Sequence, residues 1–228
     1  MRAPLFSVHK ALIIMEKNLM TQYFDFLDAD QFLKLKEFSK VLKEWNQKIN
    51  LISRADIDRL FEHHLLPSLA IAKICKFAAG SKILDVGTGG GFPGIPLAIC
   101  FPQADFLLID SIGKKINVVK SIAEDLKLEN VRTMQIRAEE LQDQFDFILG
   151  RAVTALPRFI DWVKSKIRSG SKSSLPNGIL YLKGGDFSQE LEMLKIVPSN
   201  IYRLSSLFDD KYCQDKCLIY FDKNSLMK

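Results

Sequence analysis

The residues with the clearest chemical potential lie in the stretch Asp85–Ile99, DVGTGGGFPGIPLAI, which follows a short apolar run. An acidic residue is followed at alternate positions by Gly87, Gly89 and Gly91. Glycines permit positive φ angles and a close approach of the backbone to a ligand, and a helix that begins behind them directs free N–H groups at that ligand. The stretch therefore predicts a ligand-binding turn between a strand and a helix.

Three classes of ligand use such a turn, and the surrounding residues favour one of them. A phosphate-binding P-loop needs a lysine after its glycines, and none follows here. A dinucleotide fingerprint can be fitted to Gly89, Gly91 and Gly94, but it places two prolines in the first turns of the helix and leaves Asp85 and Gly87 unexplained. The third pattern, an acidic residue followed by Gly-x-Gly-x-Gly at a strand end, is that of class I S-adenosylmethionine-dependent methyltransferases.

The chemistry of S-adenosylmethionine suits these residues. The cofactor has no pyrophosphate, and its sulfonium and α-ammonium groups favour an acidic lining such as Asp85. Its ribose presents two hydroxyls, which an acidic residue at the end of the next strand can accept. Asp110 ends the run DFLLID, 25 residues after Asp85, and fits that role. A ribose-binding carboxylate also occurs in dinucleotide enzymes, so Asp110 does not decide between the two classes.

The elements that must position these residues form an α/β pattern. Short apolar runs at 82–86, 105–110, 131–136, 145–150 and 178–183 alternate with helical segments near 92–100, 113–127, 152–168 and 186–196. This alternation predicts right-handed βαβ units and a mostly parallel sheet. Two further strand-like runs, at 200–208 and 216–221, have no helix between them and predict a closing β-hairpin. We expect a doubly wound, seven-stranded, Rossmann-like class I methyltransferase fold.

The part of the chain before residue 80 contains no convincing strand. An apolar stripe at helical spacing predicts an amphipathic helix, and three lysines project from another face of it. The stripe consists of Leu35, Phe38, Leu42, Trp45 and Ile49, and the lysines are Lys36, Lys40 and Lys43. A second helical stretch, 54–77, contains Pro67, which should kink or break it. We expect an extension over 1–25, a helical cap over 26–80 and the methyltransferase domain over 81–228.

Composition and charge limit the setting and the partners. The 228 residues include only four cysteines, too few for a disulfide framework, and the one C-x3-C pair is a weak metal signal, so we expect no metal site. No apolar run approaches the roughly 18 residues that span a bilayer. These features favour a cytoplasmic protein without membrane association, and we expect a monomer.

The net charge of +5 is modest, but its distribution is uneven. One segment, 151–172, carries six basic residues and a single acidic one, which indicates either a solvated helix face with a flexible loop or a surface that faces phosphates. The basic residues are Arg151, Arg158, Lys164, Lys166, Arg168 and Lys172. Lys114 and Lys115 begin a helix, where the helix dipole does not favour cations, so they are also candidates for binding a partner.

Six motifs in order make the chain resemble the bacterial ribosomal RNA small-subunit methyltransferase G family, also called glucose-inhibited division protein B. They are WNQKINLIS, DVGTGGGFPGIPLAI, DSIGKK, RAEEL, GRAV and YLKGG, and the resemblance covers roughly 30–222. It implies methylation of N7 of one guanine in the 530-loop of 16S ribosomal RNA in the 30S subunit. It also implies cofactor contacts at Gly87, Phe92, Ala138, Glu139 and Arg151.

The chain departs from the family pattern at two positions. The family usually has Ser-Arg-Ala where this chain has Gly150-Arg151-Ala152, and it usually has His-x-x-Asp-Ser where Pro67 stands in His64–Ser68. Any substrate role of that missing Asp is therefore in doubt here.

The residues agree with chemistry at N7. Guanine N7 has a free lone pair and no proton to lose, so attack on a methyl group needs alignment rather than a general base. Arg151 can donate to guanine O6, stack on a base or hold the cofactor, and these roles stay open. Lys183, at the end of the fifth apolar run, is a candidate contact for a substrate phosphate. The basic residues would hold the RNA backbone, while an unstacked base and RNA shape supply specificity.

Three other classes of protein remain open from the sequence. A small-molecule methyltransferase of the same fold would be expected to lack a basic face. A nicotinamide-dependent oxidoreductase would not bind S-adenosylmethionine. A non-catalytic RNA-binding protein with a vestigial pocket would show eroded glycines, whereas these are intact.

Overall fold

A computed structural model describes residues 22–227, so the extension expected over 1–25 lies almost entirely outside the described residues. Seven strands form one sheet in the order β3-β2-β1-β4-β5-β7-β6. The strands β1 to β5 are parallel, whereas β7 pairs antiparallel with both β5 and β6. Their bounds are β1 Lys82–Val86, β2 Asp105–Asp110, β3 Val131–Gln135, β4 Phe147–Arg151, β5 Gly178–Gly184, β6 Asn200–Arg203 and β7 Lys216–Asp222. The doubly wound sheet and its closing hairpin are confirmed.

Helices cover both faces of this sheet. The first five helices pack on one face, and the last two pack on the other. Their bounds are α1 Ala29–Asn46, α2 Arg54–Ile57, α3 Leu66–Ile74, α4 Gly94–Cys100, α5 Gly113–Asp125, α6 Leu156–Val163 and α7 Ser188–Leu194. Among the described residues, no helix is of a length and apolarity that would let it cross a membrane.

The expected amphipathic helix corresponds to α1. Asp28 caps its start through a capping box with Gln31, which satisfies two of the backbone N–H groups that a helix end leaves free. Leu35, Phe38 and Leu42 are buried in the same apolar core as one face of the sheet. The helical cap is thus held by the core that also holds the strands, while the division of the chain near residue 80 stays a prediction.

The segment around Pro67 differs from the single helical stretch expected there. After α2, a π-helical turn at Phe61–Leu65 continues directly into α3, in which Pro67 is the second residue. A proline is tolerated in the first turn of a helix because the N–H that it lacks has no partner there in any case. Pro67 therefore marks a change of helix type rather than a kink.

Because β1 to β5 are parallel, their last residues lie along one border of the sheet, which we call the carboxyl edge. The opposite border, where these strands begin, is the amino edge. Ligands of open α/β sheets bind beyond the carboxyl ends of the strands. The functional site is therefore built from the residues that follow β1 to β5.

Candidate active site

A cavity of about 270 Å³ lies at the carboxyl edge, between the ends of β1, β2, β3 and β4. Four residues predicted as cofactor contacts line it, namely Gly87, Asp110, Ala138 and Glu139. We call it the first cavity. The other predicted cofactor contacts are not among its lining residues; they are Asp85, Gly89, Gly91, Phe92 and Arg151.

Two glycines in the turn after β1 are required by the close approach of neighbouring atoms. Gly87 has φ +67°, and a Cβ there would lie 3.0 Å from a methyl group of Val153, which also lines the first cavity. A Cβ at Gly94 would lie 2.6 Å from Oδ2 of Asp85. Side chains at these positions would therefore fill the space or displace the carboxylate that holds the turn.

Asp85 is fully buried beneath the turn. Its Oδ2 accepts hydrogen bonds from the Thr88 hydroxyl at 2.6 Å and the Gly94 N–H at 3.0 Å, whereas Oδ1 is buried without a partner. Burial raises the pKa of Asp85 to about 7, and Asp110 adds to the rise, while the two hydrogen bonds oppose it. Asp85 thus fixes the turn and keeps one acceptor atom without a partner.

Asp110 holds the same turn from the end of β2. Its Oδ2 accepts from the Gly89 N–H at 3.1 Å, and its Oδ1 accepts from the Ile112 N–H at 2.9 Å. Each carboxylate oxygen can accept more than one hydrogen bond, so both remain available to hydroxyl donors in the first cavity. The expected ribose contact fits this position.

Phe92 does not line the first cavity. It is 6% exposed, and its ring centre lies 5.2 Å from those of Phe38 and His64. Gly90, in the same turn, would meet Leu42 if it carried a Cβ. Phe92 therefore anchors the glycine turn to α1, and we revise its predicted role from a cofactor contact to a packing residue.

Arg151, the last residue of β4, is held by backbone groups of the π-helical turn. Its Nη2 donates to the His63 carbonyl at 2.7 Å and its Nη1 donates to the His64 carbonyl at 3.2 Å. Because an arginine can only donate, the 3.0 Å contact from Nη2 makes His64 Nδ1 an acceptor. Burial and the nearby Arg151 lower the pKa of His64 to about 3, so this imidazole is neutral near pH 7.

The proline at position 67 explains why the His63 carbonyl is available. In an α-helix the N–H of a residue bonds the carbonyl four positions earlier, and Pro67 has no N–H to offer His63. The guanidinium of Arg151 takes the place of that donor. A proline in the helix thus provides an acceptor for the buried arginine.

A second cavity, of about 350 Å³, lies beside the first at the ends of β4 and β5. Ala152 lines both cavities, and its φ of +51° is uncommon for a residue with a Cβ. The Tyr181 hydroxyl fixes the turn that follows, since it donates to the Thr154 carbonyl at 2.8 Å and accepts from the Val153 N–H at 3.3 Å. Strained backbone of this kind is concentrated at functional sites.

Lys183, predicted to contact a substrate phosphate, lines the second cavity with its ammonium already paired. Nζ lies 2.7 and 2.8 Å from the two carboxylate oxygens of Glu190. Oε2 of Glu190 also accepts a hydrogen bond from the Leu156 N–H at the start of α6, with 2.6 Å between the oxygen and the nitrogen. A phosphate would have to compete with this ion pair for Lys183.

The basic segment 151–172 does not form one continuous surface, because α6 runs across the sheet from the carboxyl edge to the amino edge. Arg158 lies in the first turn of α6, whereas Arg168 donates to the Gln144 carbonyl next to the start of β4. Lys166 is 8% exposed and is too buried to grip an RNA backbone. Adjacent loop residues Ser173 and Ser174 bond to the backbone of 76–78, also at the amino edge. The predicted RNA contacts Lys166, Arg168 and Lys172 therefore lie away from the cavities.

Other predicted basic residues lie nearer to the site. The end of α1 packs on the glycine turn through Leu42, and Lys43 follows it on the exposed surface. Lys36 and Lys40 are also exposed, although Lys40 pairs with Glu37 at 3.2 Å. At the start of α5, Lys114 is exposed and Lys115 lines the first cavity.

Sequence reasoning did not identify two features of the site. Val153 and Trp162 line the first cavity, and Tyr212 and Lys216 line the second. The sequence did contain a signal for Tyr212 and Lys216. The segment that joins β6 to the antiparallel β7 must leave β6 and enter β7 at the carboxyl edge. No motif marked Trp162.

The first cavity fits an adenosyl and methionine group. The glycine turn, which a Cβ would obstruct, allows the cofactor to approach the backbone, and Asp110 offers a carboxylate to the ribose hydroxyls. The unpaired Oδ1 of Asp85 is buried beneath the turn and does not line the cavity. Within residues 22–227, three or more side chains that could bind a metal do not come together.

Comparison with known proteins gives a consistent result. The family model described as "GidB: rRNA small subunit methyltransferase G" matches residues 31–203. The chain is 50% identical over 206 residues to the ribosomal RNA small subunit methyltransferase G of Christiangramia forsetii, covering 90% of this chain and 97% of that protein. It is also 50% identical over 199 residues to that of Flavobacterium psychrophilum, covering 87% and 94%.

The fold is shared with solved structures of low sequence identity. A SAM dependent methyltransferase from Aquifex aeolicus aligns with a TM-score of 0.52 at 16% identity and covers 71% of this chain and 90% of that chain. This similarity supports the fold described above.

Proposed function

This chain belongs to the rRNA small subunit methyltransferase G family, and on that premise we propose that it methylates N7 of a single guanine in the 530-loop of 16S ribosomal RNA, with S-adenosylmethionine as methyl donor. One observation carries the proposal beyond the family name. The cavity that fits the cofactor and a second cavity with cationic walls meet at Ala152, so two ligands can face each other beside that residue.

The residues of the first cavity bind and orient. S-adenosylmethionine, when bound, supplies a methyl group that its sulfonium makes electrophilic. Asp110 would accept hydrogen bonds from the ribose hydroxyls, and Ala138 and Glu139 would contact the nucleoside. Gly87 would let the cofactor approach the backbone closely. The charge of the Asp85 carboxylate, buried beneath the turn, would attract the α-ammonium.

The transfer itself needs no residue that moves a proton. Asp110, Ala138 and Glu139 would hold S-adenosylmethionine, which would supply its methyl group to the N7 lone pair while the electron pair of the broken methyl–sulfur bond stayed on sulfur. The base gains a positive charge and loses no proton. Alignment of the two groups where the cavities meet, beside Ala152 and Arg151, is where the rate enhancement arises.

Charge on the exposed surface supports binding to RNA. Lys43 at the end of α1, together with Lys114 at the start of α5, lies near the carboxyl edge and is exposed. Contacts of this kind to phosphates hold the RNA without reading its sequence. We also propose that the enzyme acts as a monomer in the cytoplasm on the 30S subunit or its assembly intermediate.

The test is transfer of a labelled methyl group to 30S subunits from cells that lack this protein. Borohydride–aniline cleavage then locates N7-methylguanine along the RNA. A single labelled guanine in the 530-loop is the expected result. Binding of S-adenosylmethionine without transfer to any RNA form would contradict the proposal and favour a small-molecule methyltransferase.

A further inference from the structure

The second cavity has no ligand assigned by the family resemblance, and its chemistry is distinctive. Three cationic side chains line it, from Arg151, Lys183 and Lys216. Lys183 is paired with Glu190 and Lys216 with Asp215, but neither of these carboxylates is among the lining residues. The rest of its wall is largely apolar, with Pro67 and Leu182 among the contributors. A flat group that carries hydrogen-bond acceptors on one edge fits such a space.

Guanine presents such an edge beside N7. Its O6 and N7 are both acceptors, whereas adenine places an N6–H₂ donor next to its N7. A cationic wall therefore attracts guanine and repels adenine at this edge. Because N7 must keep its lone pair for the attack, the donor has to reach O6 rather than N7.

Tyr212 is held rigidly at the outer side of the cavity. It lies in a short 3₁₀ turn, Lys211–Cys213, in which Asp210 accepts the Tyr212 N–H at 2.8 Å. Its ring stacks on that of His63 with centres 4.0 Å apart and planes 15° apart. His63 is fixed in turn, since its Nδ1 lies 2.7 Å from Oδ1 of Asp56.

Lys216 is fixed next to this ring. Its Nζ lies 4.6 Å from the centre of Tyr212 and 2.8 Å from Oδ1 of Asp215. Its side chain passes over Gly184, where a Cβ would lie 2.7 Å from the Lys216 Cδ and Nζ. The segment between β6 and β7 thus delivers an aromatic ring and an ammonium to one wall.

We propose that the second cavity receives the target guanine, that Tyr212 packs against the base and that Lys216 donates to its O6. N7 then points past Ala152, the residue that lines both cavities, towards the first cavity, where the methyl group is presented without protein atoms between them. This inference rests on the proposed function and names the residues that select the base within it.

The experiment compares Tyr212→Ala, Tyr212→Phe and Lys216→Met with the wild-type full-length chain. S-adenosylmethionine affinity is measured by calorimetry, and KM and kcat are measured with undermethylated 30S subunits. Tyr202→Phe, on β6, which keeps the ring that packs on the core, and Lys211→Met, exposed in the same turn as Tyr212, are controls because neither residue lines the first or the second cavity.

We expect the Tyr212→Ala and Lys216→Met variants to bind S-adenosylmethionine within about twofold of wild type. Because Tyr212→Ala removes the ring that lines the cavity between His63 and the Lys216 ammonium, it should lower kcat/KM for 30S subunits by about tenfold, which corresponds to about 1.4 kcal/mol. Tyr212→Phe should retain most activity, and the two controls should match wild type.

Three results would overturn the inference. One is unchanged kcat/KM in both Tyr212→Ala and Lys216→Met, and another is a loss of cofactor affinity equal to the loss of activity. If Tyr212→Ala does not fold, Lys216→Met alone decides by the same criteria. The third result is a wild type that transfers no methyl group to 30S subunits, which would refute both the proposed function and this inference. An active wild type with unaffected variants would refute this inference alone.

Discussion

Replacement of Asp85 by asparagine separates the two roles assigned to this residue, which are to hold the glycine turn and to offer a charge to the cofactor. The single oxygen of the amide can accept the hydrogen bonds from Thr88 and Gly94 that Oδ2 now accepts. The amide NH₂ takes the position of the unpaired Oδ1. Asp85→Asn should therefore keep the turn while it removes the buried carboxyl group.

The pKa of Asp85 sets the size and direction of the effect. Burial raises this pKa from an ordinary 3.8 to about 7 in the folded chain. Below pH 3.8 the carboxyl group is protonated in both states and costs no stability. As the pH rises from about 4 to 7, the unfolded chain releases its proton while the folded chain keeps it, so stability falls. Since one pKa unit corresponds to about 1.36 kcal/mol, the full loss is about 4 kcal/mol.

Urea denaturation of wild type and Asp85→Asn between pH 4.5 and 8 measures this dependence. The free energy of unfolding of the variant should rise relative to wild type as the pH increases, with most of the change below pH 7. Asp105→Asn, at the exposed start of β2, controls for the amide replacement. A difference between Asp85→Asn and wild type that stays constant over this range would refute the reasoning.

The affinity for S-adenosylmethionine should change with pH in the direction opposite to the free energy of unfolding. In the wild type the ionised carboxylate attracts the ammonium of S-adenosylmethionine, so affinity should increase as the pH rises towards 8. Asp85→Asn should bind more weakly than wild type at pH 8 and should lack this increase. A more stable variant with weaker binding would show that the buried acid is retained for the ligand at the expense of the fold.

Three further predictions follow from the site. Because a Cβ at Gly94 would lie 2.6 Å from Oδ2 of Asp85, Gly94→Ala should lower the free energy of unfolding by about 1–3 kcal/mol, and an unchanged urea midpoint would contradict this. In filter binding, Lys43→Glu should weaken binding to 30S subunits and reduce the dependence of that binding on salt, whereas Lys172→Glu should change neither. A larger loss of binding in Lys172→Glu than in Lys43→Glu would contradict an RNA face that includes Lys43. Trp162→Phe should lose most of the fluorescence change that S-adenosylmethionine causes in the wild type, and a change that persists would remove Trp162 from the cavity wall.

The strands were predictable because the information lies in local runs. A parallel strand buried on both faces is a continuous apolar segment, and FLLID or ILYL has that character in any context. The glycine turn was also predictable, since a backbone that must approach a ligand requires residues without side chains. The positions of Asp85 and Asp110 at strand ends then followed from the runs themselves.

The charges were harder to place because their partners are distant in the chain or on other elements. Arg151 is held by carbonyls 87 and 88 residues earlier in the chain, and Lys183 by Glu190 on the following helix. The predicted basic surface failed for a geometric reason, since eight residues of helix carry the chain from one edge of the sheet to the other. Proximity in sequence therefore did not give proximity on the surface.

The two departures from the family pattern fit their surroundings in this chain. A Cβ at Gly150 would lie 2.5 Å from Phe159 and 2.7 Å from Tyr181, whose rings pack edge to face with centres 4.7 Å apart. A serine there would displace this pair and, with it, the Tyr181 hydroxyl that fixes the turn after Ala152.

Pro67 acts on the other side of the same arginine. It replaces an acidic residue of the family pattern, yet Arg151 keeps acceptors, because its guanidinium donates to the His63 and His64 carbonyls of the π-helical turn. A carbonyl holds a guanidinium without neutralising its charge, so Arg151 lines the second cavity without a direct ion pair, although Asp56 and Asp85 are near enough to act on it electrostatically. The two departures thus leave Arg151 fixed in place and still able to attract a base edge rich in acceptors.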